Sequence, residues 1–326
     1  MKKVLLTGAA GFIGSKTAEV LLNEGVEVVG IDNLNSQYDI RLKNFRLQEL
    51  TKFTNFTFFK LDIENLEGIQ DLFSKHKFDA VLNLAARAGV RYSTENPHVY
   101  LQTNSAGTLN LLDEMRKRDI SKFVLASTSS LYAGQAMPFD ENLAVNTPIS
   151  PYAATKKAAE VMAYTYHYLY SMDVTILRYF TVYGPYGRPD MSIFRFIRWI
   201  SEGKPIELFG DGTQSRDFTF VDDIAEGTVL GCKKKLGYEI INLGGGNSPV
   251  SLLTVIKMLE DIIGKKAQFQ YSEFNNTDVK ATWANIEKAE RLLNWKPQTT
   301  LFDGLVKTVE AYKQNPLLKD VSLPQS

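Results

Sequence analysis

Residues 2–15 read KKVLLTGAAGFIGS. Val4 to Thr7 form an apolar run that predicts a strand, and Gly8, Gly11 and Gly14 then open an amphipathic pattern that predicts a helix to about Asn23. In such a turn the first glycine bends the chain sharply, the second lets backbone amides approach a pyrophosphate, and the third lets the helix pack on the sheet. The spacing is G-x-x-G-x-x-G, one residue longer at its start than the standard dinucleotide fingerprint, and small residues also occur at strand–helix junctions for packing alone. The next run, Val26 to Ile31, ends in Asp32. An acid there can accept hydrogen bonds from the adenosine ribose and repel a 2′-phosphate, which favours NAD over NADP; a solvated turn residue is the other reading.

Outward from that turn, strand-like runs alternate with helical patterns: Phe56 to Lys60, Ala80 to Leu84, Lys122 to Ala126 and Val174 to Arg178. The alternation predicts an α/β fold, a doubly wound parallel sheet of the Rossmann kind, with ligands beyond the carboxyl ends of the strands. Gly8 to Gly14, Asp32, Asp62 with Ile63, Leu84 to Ala86, and Ser127 to Ser130 all fall at such ends. Residues 1–183 therefore read mainly as a dinucleotide-binding domain. Beyond Gly184 the pattern is broken by Pro185, Pro189 and Pro205, and residues 184–313 read as a smaller α/β lobe with some segments returning to the first domain. Gln314 to Ser326, aperiodic and with two prolines, reads as a loosely held tail.

Composition narrows the function. The 37 basic and 37 acidic residues cancel, and no basic tract points to nucleic acid or an anionic membrane. A single cysteine, Cys232, suits a reducing compartment. No apolar stretch reaches the roughly 18 residues of a membrane span, so a soluble cytoplasmic protein is expected. His76, His98 and His167 are scattered without ligand spacing, and no metal site is expected.

The chemistry is carried by PYAATKKAAE, residues 151–160. Tyr152 and Lys156 lie one helical turn apart on one face. A phenol is a poor base at neutral pH, but an ammonium one turn away favours its ionised form, which makes Tyr152 the expected proton-transfer residue. The tyrosines at 164, 166, 168 and 170 alternate like a strand; because they continue this helix, helix is expected there too.

Taken together, these features resemble the extended short-chain dehydrogenase/reductases that modify nucleotide sugars, from Lys3 to about Tyr312. Within that group, DNLNSQYD (32–39), AGVRYSTENPHVY (88–100) and RYFTVYGPYGRPDM (178–191) look most like UDP-glucuronate 4-epimerases. The resemblance implies bound NAD, held by Gly8, Gly11, Phe12, Ile13, Gly14, Asp32, Asn33, Asn35, Asp62, Ile63, Leu84, Ala85, Ala86, Tyr152 and Lys156. It also implies 4-epimerisation through a transient 4-keto sugar. Tyr152 would exchange the proton of the 4-hydroxyl, directly or through Thr128, and Lys156 would depress the pKa of Tyr152 and bond the nicotinamide ribose. Ser129 and Ser130 stand where similar dehydratases carry Asp-Glu, so the acid/base pair for elimination is missing.

For the UDP-sugar, the resemblance points to Thr128, Ser129, Ser130, Thr181, Arg188, Arg195, Arg216 and Asp278. Arg188 would read the carbon-6 carboxylate of glucuronate or galacturonate, although a surface arginine in a Gly-Pro loop is the alternative. The chain departs from its relatives at Asn275, where many have arginine, at Asn83, where histidine is common, and at Arg87, where glutamine is usual; Arg87 either touches substrate or sits in a solvated loop. Related enzymes form homodimers through the helix of Tyr152 and the one near Ala106 to Lys117. The readings left open are a UDP-glucose or UDP-N-acetylglucosamine 4-epimerase, a 4-keto-sugar reductase consuming external cofactor, and a non-enzymatic dinucleotide sensor.

Overall fold

The computed structural model describes residues 1–273 and 279–323. Its centre is a seven-stranded, fully parallel sheet. In chain order the strands are β1 (Lys3–Thr7), β2 (Glu27–Asp32), β3 (Phe56–Lys60), β4 (Ala80–Asn83), β5 (Lys122–Thr128), β6 (Asp173–Tyr179) and β7 (Tyr238–Leu243). Across the sheet they run β7-β6-β5-β4-β1-β2-β3. The order reverses between β1 and β4, and that is where an open α/β sheet leaves a crevice for ligand.

Helices cover both faces, which is why the strands read as apolar runs rather than alternating ones. Val4 and Leu6 pack on one side with Val28, Leu82 and Val124, while Leu5 packs on the other with Val29, Val81 and Phe123. Five helices frame the crevice and the lobe beside it: α1 (Phe12–Asn23), α2 (Ile40–Leu50), α3 (Gly107–Lys117), α4 (Pro151–Tyr170) and α5 (Ser192–Glu202). The tyrosine run lies at the end of α4, as the continuing helix required.

Strand β7 returns to the edge of the main sheet from the C-terminal half of the chain. The helix Val221–Lys233 and the segment of Ala289, Leu293 and Trp295 also pack on that sheet, while a separate core joins Ile193, Phe196 and Ile197 of α5 to Ile206, Leu208, Val255, Leu259 and Leu305.

The chain end differs from expectation. Instead of hanging loose from Gln314, it forms a short helix, Pro316–Asp320, whose Leu318 is buried in the second core together with Val321. Arg41 donates to the Asp320 carbonyl at 2.8 Å, and the Ser322 amide donates to Asp39 at 2.8 Å. Two prolines and little periodicity conceal an anchoring that depends on single apolar side chains. Replacing Leu318 with Ala should lower unfolding free energy by about 2–5 kcal/mol; urea titration showing no change would return the segment to a loose tail.

Candidate active site

The glycine turn is built by close backbone approach. Gly8 has a positive φ of 70°, and a Cβ on it would stand 2.8 Å from the Ala85 amide nitrogen; one on Gly14 would stand 2.1 Å from the Gly8 carbonyl oxygen. The end of β1 thus lies directly on the segment after β4, and the Thr7 hydroxyl links them by donating to Asn83 at 2.7 Å and accepting from the Ala85 amide at 3.0 Å. Asn83 donates onward to Thr108 of α3 at 3.0 Å, so this departure from the usual histidine is a buried structural link. Gly11 caps α1 with no side-chain bond, which leaves the amides of Phe12 and Ile13 facing outward for an anion. Arg46 of α2 braces the turn through the carbonyls of Ala10, at 3.1 Å, and Tyr186, at 2.6 Å.

Asp32 closes the same crevice at the end of β2. Its Oδ1 accepts from the Leu34 amide at 2.8 Å and from Lys43 Nζ at 3.2 Å, so Oδ2 remains for a ligand hydroxyl. Lys43, the one lysine of α2, is buried and escaped sequence reasoning because nothing in the helix pattern marks that a cation turns inward there. Asn33 donates to Asp62 at 2.6 Å, and the Asn35 side chain donates to Asn33 at 2.7 Å. Ile63 is buried against Gly107. An anion-ready helix start, glycines with no room for a Cβ and an acid at the tip of β2 fit NAD.

At the other side of the crevice, Ser150 caps α4 through the Ala153 amide at 3.2 Å, and Pro151 fills the first helical position, where its missing N–H is not needed. Tyr152, Lys156 and Glu160 then follow at intervals of one turn. Glu160 is fully buried: Oε1 accepts from the Ser127 hydroxyl at 2.6 Å and Arg178 Nε at 2.9 Å, and Oε2 accepts from Arg178 Nη2 at 2.7 Å. Arg178 also donates to Tyr132, which donates to Asn242 of β7 at 2.8 Å. Sequence reasoning stopped at Lys156, yet the one-turn interval alone pointed to Glu160.

Thr128 hydrogen-bonds Tyr152 and, through Oγ1, accepts from the Ser130 amide at 3.1 Å, which starts the tight turn Ser129–Tyr132. Burial pushes the Tyr152 phenol above its ordinary pKa, against the hydrogen bond from Thr128 and the charge of Arg188. Burial also brings the Lys156 ammonium down to about 8, against the pull of Glu160. The expectation that Lys156 depresses Tyr152 is therefore corrected. Desolvation disfavours charge on both groups, opposed at Tyr152 by Thr128 and Arg188 and at Lys156 by Glu160. Asn104 was also missed. It sits in the π-helical stretch Leu101–Ala106, accepts from the Arg87 amide at 2.9 Å and donates to Thr155 at 3.1 Å, tying the segment after β4 to α4. Arg87 Nε is buried without a partner among the described residues.

The expected substrate residues lie on several elements. Arg188 follows the strand Thr181–Tyr183 and grips Asp190, with Nε to Oδ1 at 3.0 Å and Nη2 to Oδ2. Thr181 is half-exposed at the start of that strand, opposite Phe218. Arg195 lies on α5, where burial lowers its pKa against the carboxylates of Asp190 and Glu207. Arg216 lies in the short strand Ser215–Arg216 and donates to the Ser215 carbonyl at 2.9 Å. Asp278 and Asn275 lie outside the described residues.

Comparison with known proteins agrees with this geometry. The model of the NAD dependent epimerase/dehydratase family matches residues 4–244. A UDP-glucuronate 4-epimerase of Thermodesulfobacterium geofontis is 57% identical over 320 residues, covering 98% of this chain and 99% of its own. The crystal structure of UDP-glucuronic acid 4-epimerase from Bacillus cereus, in complex with UDP-glucuronic acid and NAD, superposes with a TM-score of 0.90 at 40% identity, covering 96% of this chain and 99% of that one. A Thermotoga maritima UDP-glucose 4-epimerase with UDP-glucose gives 0.85 at 31%, with the same coverage.

Since a Cβ at position 14 collides with backbone, Gly14→Ala should strip the purified protein of dinucleotide. Chromatography of the nucleotide released on denaturation checks this, and a wild-type NAD content would refute the close-approach argument.

Proposed function

We infer, since the chain belongs to the NAD dependent epimerase/dehydratase family, that it is an NAD-dependent nucleotide-sugar epimerase that interconverts UDP-glucuronate and UDP-galacturonate at carbon 4. The observation that carries this reading is the meeting of Thr128, Tyr152 and Arg188 beside the glycine turn: a hydroxyl relay, a phenol and a guanidinium in one crevice.

Bound NAD would supply a reversible hydride acceptor for sugar carbon 4, with no net oxidation over the cycle. The chain's own groups handle the proton. Tyr152 takes it from the sugar's 4-hydroxyl as the carbon–oxygen double bond forms, with Thr128 as the intervening hydroxyl, and returns it when the hydride comes back on the opposite face. Burial holds the proton on the Tyr152 phenol, and Thr128 and Arg188 work against it by favouring the phenolate that the reaction needs. Lys156 orients the nicotinamide ribose from the same face of α4. Ser129, Ser130 and Thr181 hold the sugar, Arg188 reads its carboxylate, and Arg195 and Arg216 hold the diphosphate.

The working form is proposed to be a cytoplasmic homodimer. No helix among the described residues is long and apolar enough to cross a membrane. On α4, Val161, Tyr164, Tyr168 and Leu169 are exposed, beside the exposed Leu109 of α3, and a second copy of the chain is the proposed cover.

Purified protein given UDP-glucuronate and no cofactor should form UDP-galacturonate, faster than it converts UDP-glucose or UDP-N-acetylglucosamine. Preference for a neutral sugar would remove the hexuronate assignment, and stoichiometric loss of added NADH would indicate a reductase. Tyr152→Phe should cut kcat by about 10²–10⁴, and unchanged turnover would sink the acid/base role. The double variant Val161→Glu/Tyr168→Glu should sediment as a monomer; a persisting dimer would place the interface elsewhere.

A further inference from the structure

Arg188 is the cation that faces the phenol of Tyr152, yet it does not stand there as a free charge. Its Nε donates to Asp190 Oδ1 at 3.0 Å and its Nη2 to Asp190 Oδ2, so the Nε/Nη2 edge, one of the two by which a guanidinium can hold a carboxylate at two points, is already occupied. Nη2 also reaches the Ala88 carbonyl at 3.4 Å, which tethers the head group to the segment after β4. The pair is largely withdrawn from solvent, with side-chain exposures of 19% and 30%. A sugar carboxylate entering this crevice therefore meets a cation that already has an anion.

We propose that Asp190 is a specificity-determining residue: by giving Arg188 an internal carboxylate, it sets how strongly the site demands an acidic sugar. The proposal rests on the hexuronate reading, in which Arg188 faces carbon 6 of the sugar. With Asp190 in place, a neutral sugar leaves no unpaired charge behind, and a hexuronate gains only what the remaining Nη1 end of the guanidinium offers. Remove the charge of Asp190 and the balance changes. A neutral sugar then leaves a poorly solvated cation uncompensated, whereas a hexuronate neutralises it. With Arg188 in place, Asp190 acts on the sugar through that guanidinium and is a positioning residue; with Arg188 gone, its carboxylate is left uncompensated and its effect on an acidic sugar becomes repulsive.

The test is titration calorimetry of NAD-loaded wild type, Asp190→Asn, Arg188→Met and the double variant with UDP-glucuronate and with UDP-glucose. In Asp190→Asn, which keeps the shape and one acceptor, the preference for UDP-glucuronate should rise about tenfold or more. In Arg188→Met the stranded Asp190 carboxylate should repel UDP-glucuronate, and adding Asp190→Asn to it should recover part of that loss without altering UDP-glucose binding. An unchanged or reduced preference in Asp190→Asn, or equal UDP-glucuronate binding by the Arg188→Met single and double variants, overturns the proposal. Should Asp190→Asn not fold, the comparison of the two Arg188→Met proteins decides alone. A wild type that prefers UDP-glucose would instead overturn the hexuronate reading itself, a distinct result seen before any variant is made.

Discussion

The buried ion pair between Glu160 and Arg178 is the interaction on which the arrangement of the site depends. One carboxylate collects the end of β5 through Ser127, the end of β6 through Arg178 and, by way of Tyr132 and Asn242, the edge strand β7. Because Glu160 belongs to α4, the same bonds set the rotation of the helix that carries Tyr152 and Lys156. Removing one partner would strand a charge inside the protein at a cost of about 3–5 kcal/mol. Ser127 precedes Thr128, so the pair also sets how far the hydroxyl of Thr128 lies from the phenol of Tyr152.

A second constraint is desolvation. The crevice raises the Tyr152 pKa and brings Lys156 down to about 8, moves in opposite directions with one cause: each disfavours the charged form. Charge in the site is consequently sustained only in pairs or by hydrogen bonds. Asp32 has Lys43 and Arg188 has Asp190. These counter-ions come from nearby chain, on α2 and two residues along the same loop, so the binding groups are set before a ligand arrives.

Much of the architecture was legible in residues 2–15 and in the strands after them. Strand, glycine turn and helix each follow from requirements met within a few residues: apolar runs for a sheet covered on both faces, and no Cβ where backbone meets backbone. The one-turn interval of Tyr152 and Lys156 was likewise readable, since helical geometry alone places them together. The tail was misread for the converse reason. Leu318 and Val321 form no pattern of their own, and their burial belongs to a core assembled from α5 and the helices around Leu259 and Leu305.

By itself the sequence determined the winding of the sheet, the dinucleotide crevice and the residue types available for proton transfer, because these depend on spacing along the chain. Tertiary structure decided who pairs with whom and how wet each group is. Glu160 meets Arg178 across 18 residues, Lys43 rather than Arg41 or Arg46 of α2 turns toward Asp32, and Tyr152 answers to Thr128 and Arg188 more than to its neighbour on the helix. Those outcomes depend on distance and solvent exclusion in three dimensions, which local pattern does not encode.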